Sequence, residues 1–332
     1  MWAIRWADEL AKDIRYGIRM IRKSPVLASV VVLSLALAIG ANTAIFSLVD
    51  AVLLRTLPVK NPNQLVLFEW SGSDSCVDDH EGSTRPDQKT GKVIGSSLTY
   101  QQFKRMGEAN QTLSDLFAFT PIYNKLNVST DGQADVASGQ FVSGGYYKGL
   151  GLPAIVGRTI TEEDDKDGAA PVAVISYGYW KKRFNLDPTV VGEPAYINAL
   201  PFAIVGISPQ GFDGALDAGQ TADVSLPLST EGLVDRQPAQ EGIVWEWWLR
   251  VMGRLKPGAT IEQARENLEP VFQRTALEGH QAYIAKYPER KDGEAVAPNL
   301  VTVSGSRGGT FYRGDYSGQL YILLAIVGLV LL

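Results

Sequence analysis

Cys76, Asp78, Asp79 and His80 crowd a thiol, an imidazole and two carboxylates into five positions. Zinc takes such donors, but its sites space them as C-x2-4-C or H-x3-5-H pairs. Here Cys76 is the only cysteine, and His80 and His280 are the only histidines. The cluster therefore reads as a solvated loop. The acidic run Thr161 to Gly168, TEEDDKDG, offers carboxylates for calcium. An EF-hand loop needs Asp first and Glu twelfth, and the register that starts at Glu163 has Val174 twelfth. Glu162 and Glu163 lack an apolar pocket that would raise one pKa for acid–base work. A Ser-His-Asp triad has little to draw on with so few histidines. Gly91-Lys92 is followed by Val93 and lacks the first glycine of a phosphate-binding loop, and no G-x-G-x-x-G follows a strand. No catalytic residue, no metal ligand and no cofactor-binding residue emerges, and the chain reads as no enzyme.

The elements explain more than the reactive groups do. Pro25 to Val49, PVLASVVVLSLALAIGANTAIFSLV, carries no charge. As helix, 25 residues reach ~37 Å against a hydrocarbon core of ~30 Å, so the spacing predicts a transmembrane helix. A cleaved signal peptide would have an apolar run of ~7–15 residues and a small-residue cleavage site, and neither is present. Ala36, Gly40 and Ala44 recur every four residues beside Asn42 and Thr43. Such a stripe suits close packing against another helix, and Asn42 in lipid calls for a hydrogen-bond partner.

Charge orients this helix. Residues 1–25 hold six basic and three acidic side chains, a net of +3; subtracting that from the total of -5 leaves -8 for the remainder. Basic flanks stay cytoplasmic, so the N-terminus is expected inside and the chain beyond Arg55 outside. Ile4, Ala7, Ala11, Ile14, Ile18 and Ile21 fall on one helical face, with Arg5, Lys12, Arg15, Arg19 and Arg22 largely elsewhere. That is an amphipathic helix for the inner leaflet that can also dock a cytosolic partner. An acidic ectodomain gives no basic face for nucleic acid. With one cysteine the fold has no intrachain disulfide.

Beyond the membrane segment, composition predicts strands at 65–70, 171–176, 222–228, 247–255 and 300–303 and a hairpin at 195–207. Residues 71–95 read as a polar surface loop and 97–119 as helical. In 247–255, Trp247, Leu249, Val251 and Leu255 alternate with Arg250 and Arg254. Thr260 and Gln263 have capping-box spacing and open a helix through about Ala276, with Pro270 inside it. Strand-then-helix occurs twice around a β-rich middle, which predicts an α+β subdomain interrupted by an inserted β subdomain. After Asp315 the chain is uncharged, and 316–332 reads as the start of a second transmembrane helix cut short.

Four stretches carry a resemblance: GANTAIFSLVDAVLLRTLP (40–58), GRTITEEDDKDGAAPVAVISYGYWKKRF (157–184), VVGEPAYINALPFAIVGISPQGF (190–212) and RLKPGATIEQAR (254–265). Together they resemble MacB/FtsX-type ABC permeases, and within these the duplicated orphan permease (ADOP) branch, with its MacB-like periplasmic core domain. The resemblance implies an α+β periplasmic domain in which a Porter-like strand–helix subdomain is split by a Sabre-like β insertion. It also implies mechanotransmission: a partner ABC ATPase hydrolyses ATP in the cytoplasm, and the membrane helices relay the motion outward for export or efflux of an unknown substrate. ATP would bind on that partner, with no cofactor on this chain.

The expected layout starts with a cytoplasmic amphipathic helix (1–24) and transmembrane helix 1 (25–54). A first Porter-like segment (55–125), a Sabre-like insertion (126–238) and a second Porter-like segment (239–315) follow, and then the start of transmembrane helix 2 (316–332). Expected partners are an ABC ATPase subunit, a second permease half or a second copy of the chain, and membrane lipid. The expected location is the bacterial inner membrane, with the N-terminus cytoplasmic and the large domain periplasmic. The rival reading is a membrane-anchored periplasmic binding or adaptor module without transport; an anchored hydrolase would need a polar cleft with shifted ionisable groups.

Overall fold

The structure is a computed structural model, and it describes residues 15–17, 19, 21–50, 54–73, 75–82, 84–86, 91–130, 132–217, 219–235, 240–290, 295–309, 318–323, 325–326 and 328. The chain divides into two compact units, residues 1–54 with 316–332, and residues 55–315.

In the first unit, helix α1 spans Pro25–Val49. Pro25 sits in its opening turn, where the missing N–H breaks no bond. Within it Pro25–Ser47 is long and apolar enough to cross a membrane, the one such helix among the described residues. Val26, Leu27, Leu33 and Leu37 are exposed along it. Such bare apolar surface suits hydrocarbon, where the backbone must be satisfied internally. The hydroxyls conform: Thr43 Oγ1 donates to the Ile39 carbonyl and Ser47 Oγ to the Thr43 carbonyl, each at 2.8 Å. Residues 15–17, 19 and 21–23 are helical upstream, and 318–323, 325–326 and 328 are helical downstream.

The second unit is built on strands β1 (Leu65–Gly72), β2 (Asp79–His80), β3 (Thr84–Pro86), β4 (Val93–Gly95), β5 (Leu98–Thr99), β6 (Leu113–Thr130), β7 (Gln133–Val142), β8 (Val156–Gly157), β9 (Val172–Ile175), β10 (Pro194–Ile197), β11 (Leu200–Ile207), β12 (Val224–Pro227), β13 (Glu246–Leu255) and β14 (Asn299–Ser304), joined in one mixed sheet. Its helices are α2 (Tyr100–Ala109), α3 (Tyr146–Leu150), α4 (Tyr177–Phe184), α5 (Glu231–Val234) and α6 (Ile261–Lys286).

Strand β6 belongs to both halves of this sheet. Its first half pairs with β13, Phe119 opposite Arg250 and Phe117 opposite Met252. Its second half forms a hairpin with β7. From there β7, β12, β9, β11 and β10 pair in turn, and Tyr196↔Ser129 and Ile197↔Val128 bring β10 back to β6. Six strands thus close on themselves and leave no free edge among them. On the other side β1 pairs with β13, β14 and β4, and α6 packs against β14 and α2. The expected boundary at 125/126 falls inside β6, and the one at 238/239 lies outside the described residues.

Burial on both faces drives this layering. Leu65 and Leu67 of β1 join Phe117, Phe119, Tyr146 and Met252 on one face, and Val66, Phe68 and Trp70 join Leu249, Val251 and Phe272 on the other. A strand covered on both sides reads as a continuous apolar run, as LVLFEW does. The unit's two ends are tied together: Leu57 N–H donates to the Ser306 carbonyl and Gly305 N–H to the Leu65 carbonyl, both at 2.8 Å.

Several expectations change. The helix expected over 97–119 spans only Tyr100–Ala109, opened by a Thr99/Gln102 capping box. The Asn110 side chain then accepts from the N–H groups of Thr112 and Leu113, an Asx turn that ends the helix and starts β6. The helix from Thr260 has its capping box but continues to Lys286, past the expected end at Ala276 and through Pro270. Residues 71–95 are no plain surface loop, because they contribute β2, β3 and β4 and bury Cys76 and Val77. Burial, and after it the Asp78 charge, push the Cys76 thiol up to about 11, so it stays protonated. His280 Nδ1 lies 2.9 Å from Asp78 Oδ1, tying α6 to this segment.

The arginine side of β13 is covered too, with Arg250 buried and Arg254 half-buried. Arg250 donates to Asp217 at 2.6 Å, with side chains 5% and 3% exposed. Arg254 donates to the carbonyls of Gly149, Leu150 and Asn61. In the acidic run, Asp164 turns inward to accept from Arg158 and Thr161. Asp165 accepts from the N–H groups of Gly144 and Ser229.

Candidate functional site

Two register breaks mark one place in the ectodomain. β6 slips against β7 between Ile122 and Leu126, and β13 slips against β5 between Trp247 and Leu249. Bulges re-aim side chains and are frequent beside functional sites. A cavity of about 200 Å³ lies there, walled by Tyr123 of β6 and Trp248 of β13 with Glu81, Glu231, Asp235 and Gln240. Glu231 opens α5, and Gln240 lies in the 3-10 turn leading to β13.

Gln240 organises the carboxylates. Its side-chain amide donates to Glu246 at 2.7 Å and to Glu81 at 3.2 Å, and its backbone N–H donates to Glu231 at 3.0 Å. Among the described residues none of Glu81, Glu231, Asp235 and Glu246 takes part in an ion pair. Glu231 is 3% exposed. Burial first pushes its carboxyl up to about 7; the Gln240 N–H opposes this, while Asp235, Glu246 and Glu81 add to it. Glu81, Asp235 and Glu246 are also raised, each chiefly by desolvation. On the tryptophan wall, the Trp248 indole N–H has no partner among the described residues, although the residue is only 2% exposed. The recess is therefore a small chamber with the carboxylates of Glu81, Glu231 and Asp235 in its lining.

The residues singled out from sequence lie elsewhere. Ala36, Gly40 and Ala44 are exposed along α1, with no atom within 4 Å of a Cβ placed on Gly40, and Asn42 is half-buried. Arg15, Arg19 and Arg22 are helical and exposed, while Arg5 and Lys12 lie outside the described residues. The acidic recess had no signal in sequence. Its carboxylates come from the segment before β3, from α5 with its following turn, and from the start of β13, with no common spacing.

The profile of the MacB-like periplasmic core domain matches residues 28–271. No curated protein matches the chain's sequence. Among solved structures, the periplasmic region of MacB from Actinobacillus actinomycetemcomitans matches at 14% identity, covering 70% of this chain and 98% of that one, with a TM-score of 0.46. The extracellular domain of the noncanonic ABC-type transporter YknZ from Gram-positive bacteria matches at 12% identity, over 63% and 93%, with a TM-score of 0.44. A domain of a putative permease from Porphyromonas gingivalis matches at 15% identity, over 75% and 90%, with a TM-score of 0.46. Because the profile runs unbroken from within α1, through the strand ring, into α6, the chain belongs to the MacB-like periplasmic core domain family of ABC transporter permeases.

Proposed function

We propose that this chain is a permease subunit, or the N-terminal fragment of one, of a MacB-like ABC transporter of the orphan permease kind. It transforms no substrate chemically. A partner ABC ATPase hydrolyses ATP in the cytoplasm, and α1, together with a second span begun at 316–332, relays the motion to residues 55–315 for export of an as yet unnamed cargo. The observation that carries this reading is the family match, which includes the membrane helix and the ectodomain in one stretch. The basic segment before Pro25 supports a cytoplasmic N-terminus and a periplasmic domain across the bacterial inner membrane. The stripe of Ala36, Gly40 and Ala44 with Asn42 supports packing against a second permease half or a second copy, and Arg5, Lys12, Arg15, Arg19 and Arg22 support docking on the ATPase or on lipid.

The test is affinity purification of the full-length gene product from native membranes, followed by assay of ATP hydrolysis. A co-purifying, vanadate-sensitive ATPase is expected. Its reproducible absence overturns the permease reading and leaves a membrane-anchored periplasmic binding or adaptor module.

A further inference from the structure

We infer that the outgoing chain at Gly308 and Gly309 is a latch. It seats on the turn Ala215 to Asp217, and the buried Asp217–Arg250 pair carries the state of that seat to the pairing of β13 with β6.

The seat is shaped for bare backbone. Gly309 N–H donates to the carbonyls of Ala215 at 3.1 Å and Leu216 at 3.3 Å. A Cβ on Gly308 would lie 2.9 Å from the Ala215 oxygen, and one on Gly309 would lie 2.2 Å from Asp217 Oδ1. Gly308 also has φ +77°, which glycine adopts without a steric penalty. The turn beneath is held in its own right. Ala215 N–H donates to the Tyr146 hydroxyl at 2.9 Å, and Ala215 and Leu216 are buried with Phe212.

Asp217 joins the seat to the sheet. Its Oδ1 faces Gly309, and its Oδ2 accepts from Arg250 at 2.6 Å. The Arg250 and Asp217 side chains are 5% and 3% exposed, so water does not replace either partner when the other moves. Arg250 stands opposite Phe119 of β6. Its charge reaches further along the same strand: burial pushes the Tyr123 phenol up, and the Arg250 charge and hydrogen bond pull it back. Tyr123 lies where β6 slips against β7. The path from the outgoing chain to the register break is therefore Gly309, Asp217, Arg250, Tyr123.

A carboxylate displaced by the outgoing chain leaves a buried guanidinium on the central strand without its partner. That state is costly, so the strap and the strand shift together and not one at a time. Every contact in the path lies within residues 55–315, so the latch is tested apart from the transport reading.

The experiment is hydrogen–deuterium exchange with mass-spectrometric readout on the full chain in detergent micelles at neutral pH. Gly309→Ala puts a methyl against the Asp217 carboxylate. It is expected to speed exchange roughly 10-fold at 213–217 and at 117–123 and to leave the hairpin 194–204 as in the wild type. Asp217→Asn tests the reverse direction, because coupling is reciprocal, and it serves if Gly309→Ala does not fold. With the pair broken, exchange at 305–309 is expected to rise by about the same factor. In a chain carrying Arg250→Met with Asp217→Ala, adding Gly309→Ala is expected to change nothing more at 117–123. The inference is overturned if the effect of Gly309→Ala stays within 213–217 and 305–309, or spreads evenly to 194–204. It is equally overturned if Asp217→Asn leaves 305–309 unchanged, or if Gly309→Ala still speeds 117–123 once the ion pair is gone. Absence of a co-purifying ATPase sinks the transport reading and leaves these exchange patterns as they are.

Discussion

Glu231→Gln makes the energetic claim about the recess measurable. The ordinary value of the carboxyl is 4.5, and in the folded chain burial holds it near 7. Between those values the folded state keeps its proton while the unfolded state has lost it, so stability falls as pH rises and the loss is complete above pH 7. The full difference corresponds to ~3 kcal/mol, and water reaching the open recess reduces this to about 1–2 kcal/mol. Glutamine keeps an oxygen for the Gln240 N–H and carries no charge to desolvate. The variant is therefore expected to match the wild type at pH 4.5 and to exceed it at pH 8 by about 3–6 °C in Tm, at ~2–4 °C per kcal/mol. Thermal melts of the full chain in detergent, stepped from pH 4.5 to 8.5, give the comparison. Taking the difference between the two proteins cancels the titration of more distant groups. An offset that is the same at every pH, or a variant less stable at pH 8, refutes the assignment of a buried, charge-crowded carboxyl.

Three further outcomes follow from other contacts. Burial opposes the Asp164 charge, but hydrogen bonds from Arg158 and Thr161 outweigh it and hold its carboxyl below 3.8. Asp164→Asn should thus cost about 1 kcal/mol at pH 7 in urea unfolding, with the gap closing as pH falls through the folded value. Arg250→Met strips the buried Asp217 carboxylate of its arginine partner and should cost ~3–5 kcal/mol, while Arg250→Met with Asp217→Leu should recover some of it; denaturant midpoints decide. Asn42→Leu should weaken helix–helix association by roughly 1 kcal/mol in a membrane two-hybrid or cross-linking assay, and an unchanged dimer fraction removes the packing role of that stripe.

What could be read from the chain followed the range of the interactions concerned. α1 was legible because a bilayer imposes a length and an apolarity that any such helix must show in its own residues. The capping boxes at Thr99 and Thr260 join residues three apart, and the one at Thr260 was legible for that reason. Alternation along β13 set Arg250 opposite the apolar side but reports period and not burial; the covering Asp217 arrives from thirty-three positions away. Asp78 finds His280 across 202 positions, so a stretch that is polar in composition became a piece of the packed body. The recess is the extreme case: its carboxylates share a chamber only because the β6 bulge and the turn before β13 bring three distant segments together.

The bond from Leu57 to Ser306 has a mechanical corollary. Within residues 55–315 the backbone at Leu57 and the backbone at Ser306 are clasped beside β1 and β14, so the two ends of this unit leave the sheet from one corner. A pull that separates those ends has to break this clasp before it reaches the pairing of β1 with β14.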